Sequence, residues 1–430
     1  MAPALSGNTV VVFLFQLGVL LCLAVLFGRL AGRIGLPAIA GELLVGVLLG
    51  PSVLGGLPPE VMGWLWSSGQ TGQSVLVEGV GQLGVLLLVG ITGAQLNLGL
   101  LRRRATAAAR VSAAGLIVPL GLGIGLGFLL PALLVGAGTD RTTFALYLGV
   151  VMCVSAIPVM AKILMDLRLE HSNTGQLILT AGVIDDAAGW LLLSFVSALA
   201  TAGLTLSAVM MSTGSLLLFL VVAFVIGRPL VRLVLGAAAR SREQAPVLGT
   251  AVALILVAAA GAHLLKQEAV LGAFVCGVLI KASGKLPDLT IGPLRTFVLA
   301  VLAPIYFAQA GLRMDLRLLA NLDVALAGLT VLVVAIAGKF LGAYIGARLS
   351  KLSRWEALAI GAGLNARGVI EVIIATIGVQ LGVLNTASYT IVVLVALVTS
   401  LMAPPILRFA MARVETAKAP ELLALPTTKP

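Results

Sequence analysis

The stretch VIDDAAGW, residues 183–190, constrains this chain more than any other. It sets two adjacent carboxylates, Asp185 and Asp186, near the middle of a run from Thr174 to Ala200 that carries no other charge. A run of that length and character spans a bilayer as a helix. An ionised side chain at the centre of such a helix costs about 2.5–3.5 kcal/mol on insertion scales, so the pair costs about 5–7 kcal/mol if nothing compensates it. A helix that only holds a bundle together gains nothing from that expense. The pair therefore reads as an ion or proton site, with a buried hydrogen bond between helices as the competing explanation.

The rest of the chain agrees with a membrane setting. Hydrophobic residues make up 60% of the 430 positions and charged residues only 10%, against about 25% charged in soluble domains. The 50 glycines let membrane helices approach closely and let some of them break. The net charge of +11 raises the possibility of a nucleic-acid partner. The basic residues, however, sit in short stretches between apolar runs, which is the signature that sets membrane orientation, and no nucleic-acid partner is expected. Cys22, Cys153 and Cys276 all lie within apolar runs and form no CxxC pair or disulfide framework. With only His171 and His263 as histidines, no histidine metal site and no cofactor is expected.

Thirteen spans are predicted, at about 9–28, 36–54, 74–96, 106–131, 143–165, 174–200, 207–227, 246–265, 268–282, 296–312, 321–347, 355–379 and 386–408. The first is too long for a signal-peptide core and follows no basic residue, so it counts as a span. Of the 28 Lys and Arg, only Arg141, Lys266, Arg313 and Arg317 follow even-numbered spans, and Lys339 and Arg367 lie inside spans. All the others follow odd-numbered spans or sit, as Arg110, Lys162, Lys281 and Arg408 do, at the adjoining span ends, which places the N-terminus outside and the C-terminus in the cytoplasm. Residues 414–430 are short, Pro-bearing and expected to be a disordered tail.

Several spans carry polar residues that an apolar helix does not need. In the second, LPAIAGELLVGVLLGPSVLG, Glu42 either lines an aqueous approach or snorkels to the near interface. In the third, Glu78 and Gln82 share a helical face, which favours an interhelical hydrogen bond over a vestibule. The fifth contains CVSAIPVMAK, where Pro158 removes a backbone donor and breaks or kinks the helix beside Ser155. A broken membrane helix is tolerated only against protein or a water-filled cavity. The Ser155 hydroxyl and the freed carbonyls there can coordinate a cation. The eleventh carries Lys339 near mid-depth, where an ammonium needs a carboxylate, and Asp185 and Asp186 are at comparable depth. Adjacent helical residues point about 100° apart, so one aspartate can face Lys339 while the other faces a different space. The twelfth, GAGLNARGVIEVIIA, is interrupted by Gly361, Gly363, Gly368, Asn365 and Arg367, with Glu371 four residues beyond Arg367. Arg367 and Glu371 serve either as a structural lock or as ion contacts. Broken helices in the earlier and later halves are the mark of inverted repeats meeting at the midplane.

These motifs resemble those of the monovalent cation–proton antiporters, specifically the second cation:proton antiporter family. PAIAGELLVGVLLGPSVLG resembles its second-helix motif, Ser155–Pro158 its first crossing helix, VIDDAAGW its paired aspartates, LAPIYFAQAGLRMDL its late linker and GKFLGA its lysine. NARGVIE looks closest to the plant-type cation/proton exchangers. The similarity covers nearly the whole chain to about residue 410.

The resemblance implies an all-α membrane protein of the sodium/proton antiporter-like fold, in which residues 1–413 form the transporter. Scaffold helices lie at about 9–96 and 246–312, core helices at about 106–200 and 321–408, and a linker helix at about 207–227. It implies a homodimer in the inner (plasma) membrane that exchanges Na⁺ or K⁺ for protons by an elevator-like shift. Asp186 becomes the carboxylate for cation and proton, and Asp185 the partner of Lys339. Gln95 and Asn97 stand where the family usually has an acidic residue, and Glu268 where a histidine is expected, which touches regulation rather than the core reaction. Two aspartates predict more protons than cations per cycle; Asp185 locked to Lys339 throughout gives one for one instead. A same-fold carrier of an organic anion coupled to Na⁺ needs a larger cavity and has little use for Lys339 beside the aspartates. An intramembrane aspartyl protease needs two carboxylates sharing one water.

Overall fold

Apolar runs too long for a soluble core make this chain helical, because lipid leaves backbone polar groups no partners but one another. The computed structural model describes residues 7–34, 36–54, 73–95, 105–203, 205–241, 243–284 and 288–423. Among the described residues the regular structure is helical, with one isolated antiparallel bridge between Val135 and Leu384. The first group of helices is α1 (Gly7–Arg33), α2 (Ala38–Leu49) and α3 (Gln73–Ala94). Next come α4 (Ala105–Leu129), α5 (Arg141–Cys153), α6 (Ile157–Asp166) and α7 (Asn173–Ala202). A π-helical turn joins α8 (Leu206–Val222) to α9 (Arg228–Ala238), and α10 (Gln244–Leu264) and α11 (Ala269–Ser283) follow. A second π-helical turn joins α12 (Asp288–Phe297) to α13 (Ala303–Leu312). The chain closes with α14 (Leu322–Leu349), α15 (Arg354–Leu364), α16 (Val369–Gln380) and α17 (Thr386–Leu423).

Each stretch expected to span falls on one of these helices or on a broken pair. Among the described residues 9 helices are long and apolar enough to cross a membrane, or 10 when α15 and α16, bent by 46°, count as one. α2, α5 and α11 are apolar but shorter. Two expectations need correcting. The seventh span does not stop at 227: a continuous candidate runs over Leu206–Ala238, so Arg228 and Arg232 ride on a helix and not in a loop. α17 continues to Leu423, into the stretch expected to be disordered, since Glu415, Ala417, Lys418 and Ala419 are good helix formers and nothing stops the helix at 414. Residues 424–430, with Asn97, Arg102, Arg103, Arg104, Arg242 and Lys285, lie outside the described residues.

Local signals set the ends of the helices that matter most. Ser172 caps α7, its hydroxyl accepting from the Gly175 N–H at 3.0 Å, and Gly203 ends it at φ 81°. The hydroxyl of Ser353 and the side chain of Glu356 close a capping box on α15. Two long helices flank a broken one in two groups: α4, α5–α6, α7 and α14, α15–α16, α17. The backbone between α5 and α6 is extended at Val154 and Ala156. The two breaks cross, and the Ala156 N–H donates to the Ala366 carbonyl at 3.2 Å. Gly368 holds φ 155° there, and a Cβ on it would meet Val159 Cγ2 at 2.8 Å, so this position suits glycine alone.

A glycine ridge puts α14 against α4. Gly338, Gly342 and Gly346 recur every fourth residue, and a Cβ on Gly342 would lie 2.4 Å from the Ala114 carbonyl oxygen. Small residues at this spacing bring membrane helices into backbone contact. Lys339, next to the first of these glycines, is thereby delivered to the middle of the core, fully buried. Gly342→Ala is therefore expected to lower the stability of the purified protein by overpacking, on the order of 1–3 kcal/mol. Gly249→Ala, at a helical site where a Cβ meets nothing within 4 Å, is the control. Thermal unfolding of both variants in detergent checks this; equal effects would contradict the ridge.

Candidate ion and proton site

α7 carries the two aspartates at mid-length, and both are fully buried. One helical face presents Gly182, Asp186 and Gly189 at i, i+4 and i+7. That face lies against the first break: a Cβ on Gly182 would touch Met160 and Ile157, and one on Gly189 would touch Val154. Asp186 thus faces the extended stretch between α5 and α6. The backbone amide of Ile157, at the start of α6, acts on its carboxylate, but neither oxygen has a hydrogen-bond partner.

Asp185 points elsewhere, as the 100° offset requires. Its Oδ2 lies 2.7 Å from Lys339 Nζ, and its Oδ1 accepts from Ser112 Oγ at 2.5 Å. Ser155 Oγ is 2.9 Å from Oδ2 and 2.8 Å from the Leu364 carbonyl, and its single proton serves one of them at a time. Lys339 spends its other two N–H bonds on backbone, reaching Cys153 O at 2.7 Å and Gly115 O at 3.0 Å.

The end of α5 explains why two cations sit here. A helix that stops in mid-membrane leaves its last carbonyls without partners and its negative dipole end exposed to low dielectric. Lys339 takes Cys153 O, while Arg367 Nη1 donates to Val151 O at 3.1 Å and Nη2 to Met152 O at 2.6 Å. Arg367, in the break itself, also pairs through Nη1 with Glu371 Oε1 in the first turn of α16 at 2.9 Å. Arg367 is thus bound both to the end of α5 and to Glu371. The other break is tied by serines: Ser155 Oγ reaches Leu364 O, and Ser400 Oγ donates to the Arg367 carbonyl.

The remaining sequence candidates divide. Asn365 is fully buried at the second break, and neither its amide nitrogen nor its amide oxygen has a partner. Pro158 falls in the first turn of α6, where a missing N–H costs nothing, so the break precedes the proline and is not a kink at it. Glu42 lies against α1, where a Cβ on Gly28 would be 3.5 Å from its Oε1. Glu78 pairs with Arg313 at 2.7 Å and accepts from Gln380 Nε2 at 3.1 Å. Gln82 lines the small cavity beside that pair, together with Tyr306 and Thr376. Sequence reading missed Ser112, whose only signal is its place one turn before Gly115 on the helix that meets Lys339.

Five buried side chains at the crossing are ionisable acids or strong bases: Asp185, Asp186, Lys339, Arg367 and Glu371. Lys339 offsets Asp185, and Arg367 offsets Glu371. One carboxylate, Asp186, is left over. The two aspartates do not converge on a common water, as acid proteolysis requires, because Asp185 is committed to Ser112 and Lys339. That same commitment opposes the organic-anion reading, which has little use for Lys339 beside the aspartates.

Comparison with known proteins identifies the family. The family model for the sodium/hydrogen exchanger, transmembrane, matches residues 18–413. The Na⁺/H⁺ antiporter NhaS4 of Synechocystis sp. is 30% identical over 404 residues, covering 94% of this chain and 98% of that protein. Cation/H⁺ antiporter 18 of Arabidopsis thaliana is 30% identical over 383 residues, 86% of this chain but only 45% of its own length. The chain thus spans less than half of that plant relative. In fold, the sodium proton antiporter MjNhaP1 from Methanocaldococcus jannaschii superposes with a TM-score of 0.67 at 18% identity, covering 94% of this chain and 99% of that one. The chain belongs to the sodium/hydrogen exchanger family.

Proposed function

We propose that this protein is a secondary antiporter exchanging a monovalent cation, Na⁺ or K⁺, for protons, with Asp186 as the shared site. The observation that carries this reading is the leftover charge. In the apolar core an unpaired carboxylate is too expensive to move, so the core crosses only when a proton or a cation sits on Asp186. Either occupant neutralises it and both cannot bind at once, which couples their movements. This reading takes Ser155 and Asn365, at the two breaks, with backbone oxygens there, as the neutral ligands of the cation. Arg367 and Glu371 hold the crossing together, and Glu42 belongs to the approach.

The names of the relatives support this class of transport, and nothing in the geometry favours an organic anion. The elevator reading takes α4–α7 and α14–α17 as the moving core. It takes α1–α3 and α10–α13 as scaffold, with α8–α9 as linker. In this reading the apolar runs make thirteen crossings, the bias of basic residues puts the N-terminus outside and the C-terminus in the cytoplasm, and the family resemblance suggests a homodimer at the inner (plasma) membrane.

Asp186→Asn keeps the shape and loses the titrating group. In liposomes its cation-dependent proton flux is expected at background, with monodisperse elution of the purified variant; flux at the wild-type level would contradict the assignment. Lys339→Ala is expected to cost about 3–5 kcal/mol because it strands Asp185, and adding Asp185→Asn to recover part of that. Simple additivity in thermal unfolding would mean that the two side chains do not act as a pair.

A further inference from the structure

We infer that the start of α15 and the adjoining end of α17 bind the headgroup of an anionic phospholipid, whose phosphate is taken by Arg354 and Arg413 around the ring of Trp355. Neither the aspartates nor the antiport reading enters into it.

Two guanidinium groups share one indole ring here. The Arg354 guanidinium lies 5.5 Å and that of Arg413 5.4 Å from the centre of the Trp355 ring. Both are within the reach of cation–π attraction, which runs to about 6 Å. Arg413 also stands 5.2 Å over Phe409, and the two aromatic rings meet edge to face at 6.0 Å. The rings thus gather two like charges into one place. Both arginines are exposed, and among the described residues neither pairs with a carboxylate. The acid next to them in sequence, Glu356, is engaged in capping α15, where it takes the Ser353 N–H and hydroxyl at 3.0 Å each. Lys351, exposed on the preceding turn, adds a further positive charge. An anion lying among these groups removes their repulsion, and a guanidinium offers phosphate a planar fork of paired N–H donors.

The place of these residues along their helices selects a lipid as the occupant. Arg354 opens the broken span α15–α16, and Arg413 is next to the last residue of the candidate span Thr386–Val414. Both therefore stand where a crossing meets the headgroup layer, at the level favoured by an amphipathic ring such as Trp355. Phe409, one turn before Arg413 on the membrane side, is 51% exposed and gives an acyl chain an apolar wall beside the charges. A soluble phosphate compound has no use for that wall. In the orientation proposed above this end faces the cytoplasm, whose leaflet carries the anionic lipids that basic pockets between helices bind. α15 runs from this site to the second break, so a bound headgroup tethers that helix to one leaflet.

Trp355 itself reports the occupant. The full chain is reconstituted in phosphatidylcholine bilayers that hold the same small share of either brominated phosphatidylglycerol or brominated phosphatidylcholine, bromine quenching an indole it touches. Trp64, Trp66 and Trp190 also emit, so the Trp355 signal is the difference between each protein and its Trp355→Phe counterpart. Brominated phosphatidylglycerol is expected to quench that signal as though present at about fivefold its bulk share, and brominated phosphatidylcholine only at its bulk share. Arg354→Gln with Arg413→Gln is expected to bring the two lipids into line. Arg29→Gln with Arg33→Gln, which removes two exposed charges from the end of α1, is expected to leave the preference standing. Equal quenching by the two lipids in the wild type overturns the inference. So does a preference that both double variants lower alike, since diffuse surface charge then suffices. Dissolved inorganic phosphate, matched against chloride for ionic strength, is expected to leave the preference in place; its loss to phosphate alone makes the occupant a soluble anion and overturns the lipid assignment. Should the first double variant fail to fold, Arg413→Gln alone decides, with the preference expected to fall to about half.

Discussion

Two helices that end in mid-membrane are the constraint on which the rest of this structure depends. Each break leaves carbonyls facing a medium with no water to bind them, and the protein answers the first break with cations. Lys339 and Arg367 bind the final three carbonyls of α5. Buried cations then need buried anions, supplied by Asp185 and Glu371. The ion pairs at the crossing are therefore a consequence of breaking the helix before they are part of any transport site. What remains after this balancing is one carboxylate, aimed at the extended backbone between α5 and α6.

The packing that brings these groups together is backbone-close. α14 presses its glycine ridge on α4, and α7 lays Gly182 and Gly189 on either side of Asp186 against the break. Only small residues allow this, and lipid gives no hydrophobic drive to assemble membrane helices, so contact area and interhelical polar bonds must supply it. Placing a lysine in the glycine ridge turns a packing device into a means of delivering charge. Serines at 112, 155 and 400 complete the polar bonds without bringing charge of their own.

Much of this was legible in the sequence, because charges in apolar runs are too costly to be incidental. Asp185, Asp186 and Lys339 stood out for that reason, and the 100° offset between neighbouring helical residues already divided the aspartates between two spaces. The breaks at 154–156 and 365–368 were announced by Pro158 and by the glycines around Asn365. The role of Arg367 was not legible, since the carbonyls it binds belong to a helix more than two hundred residues earlier and carry no side-chain signature. Ser112 was invisible for a related reason: serine is common in membrane helices, and only its distance to Asp185 singles it out. The extent of α8–α9 and the helical continuation of α17 were missed because arginines and a proline were read as helix ends, whereas helices run on past the bilayer where nothing stops them.

The central claim is that a cation and a proton compete for Asp186. Calorimetric titration of Na⁺ into the purified protein, repeated in buffers of different ionisation enthalpy, counts the protons released per ion bound. The account predicts that near its working pH binding releases up to one proton per cation, and that Asp186→Asn neither binds Na⁺ nor releases a proton. Sodium binding with no proton release at any pH, or an Asp186→Asn variant that binds Na⁺ as the wild type does, would contradict it.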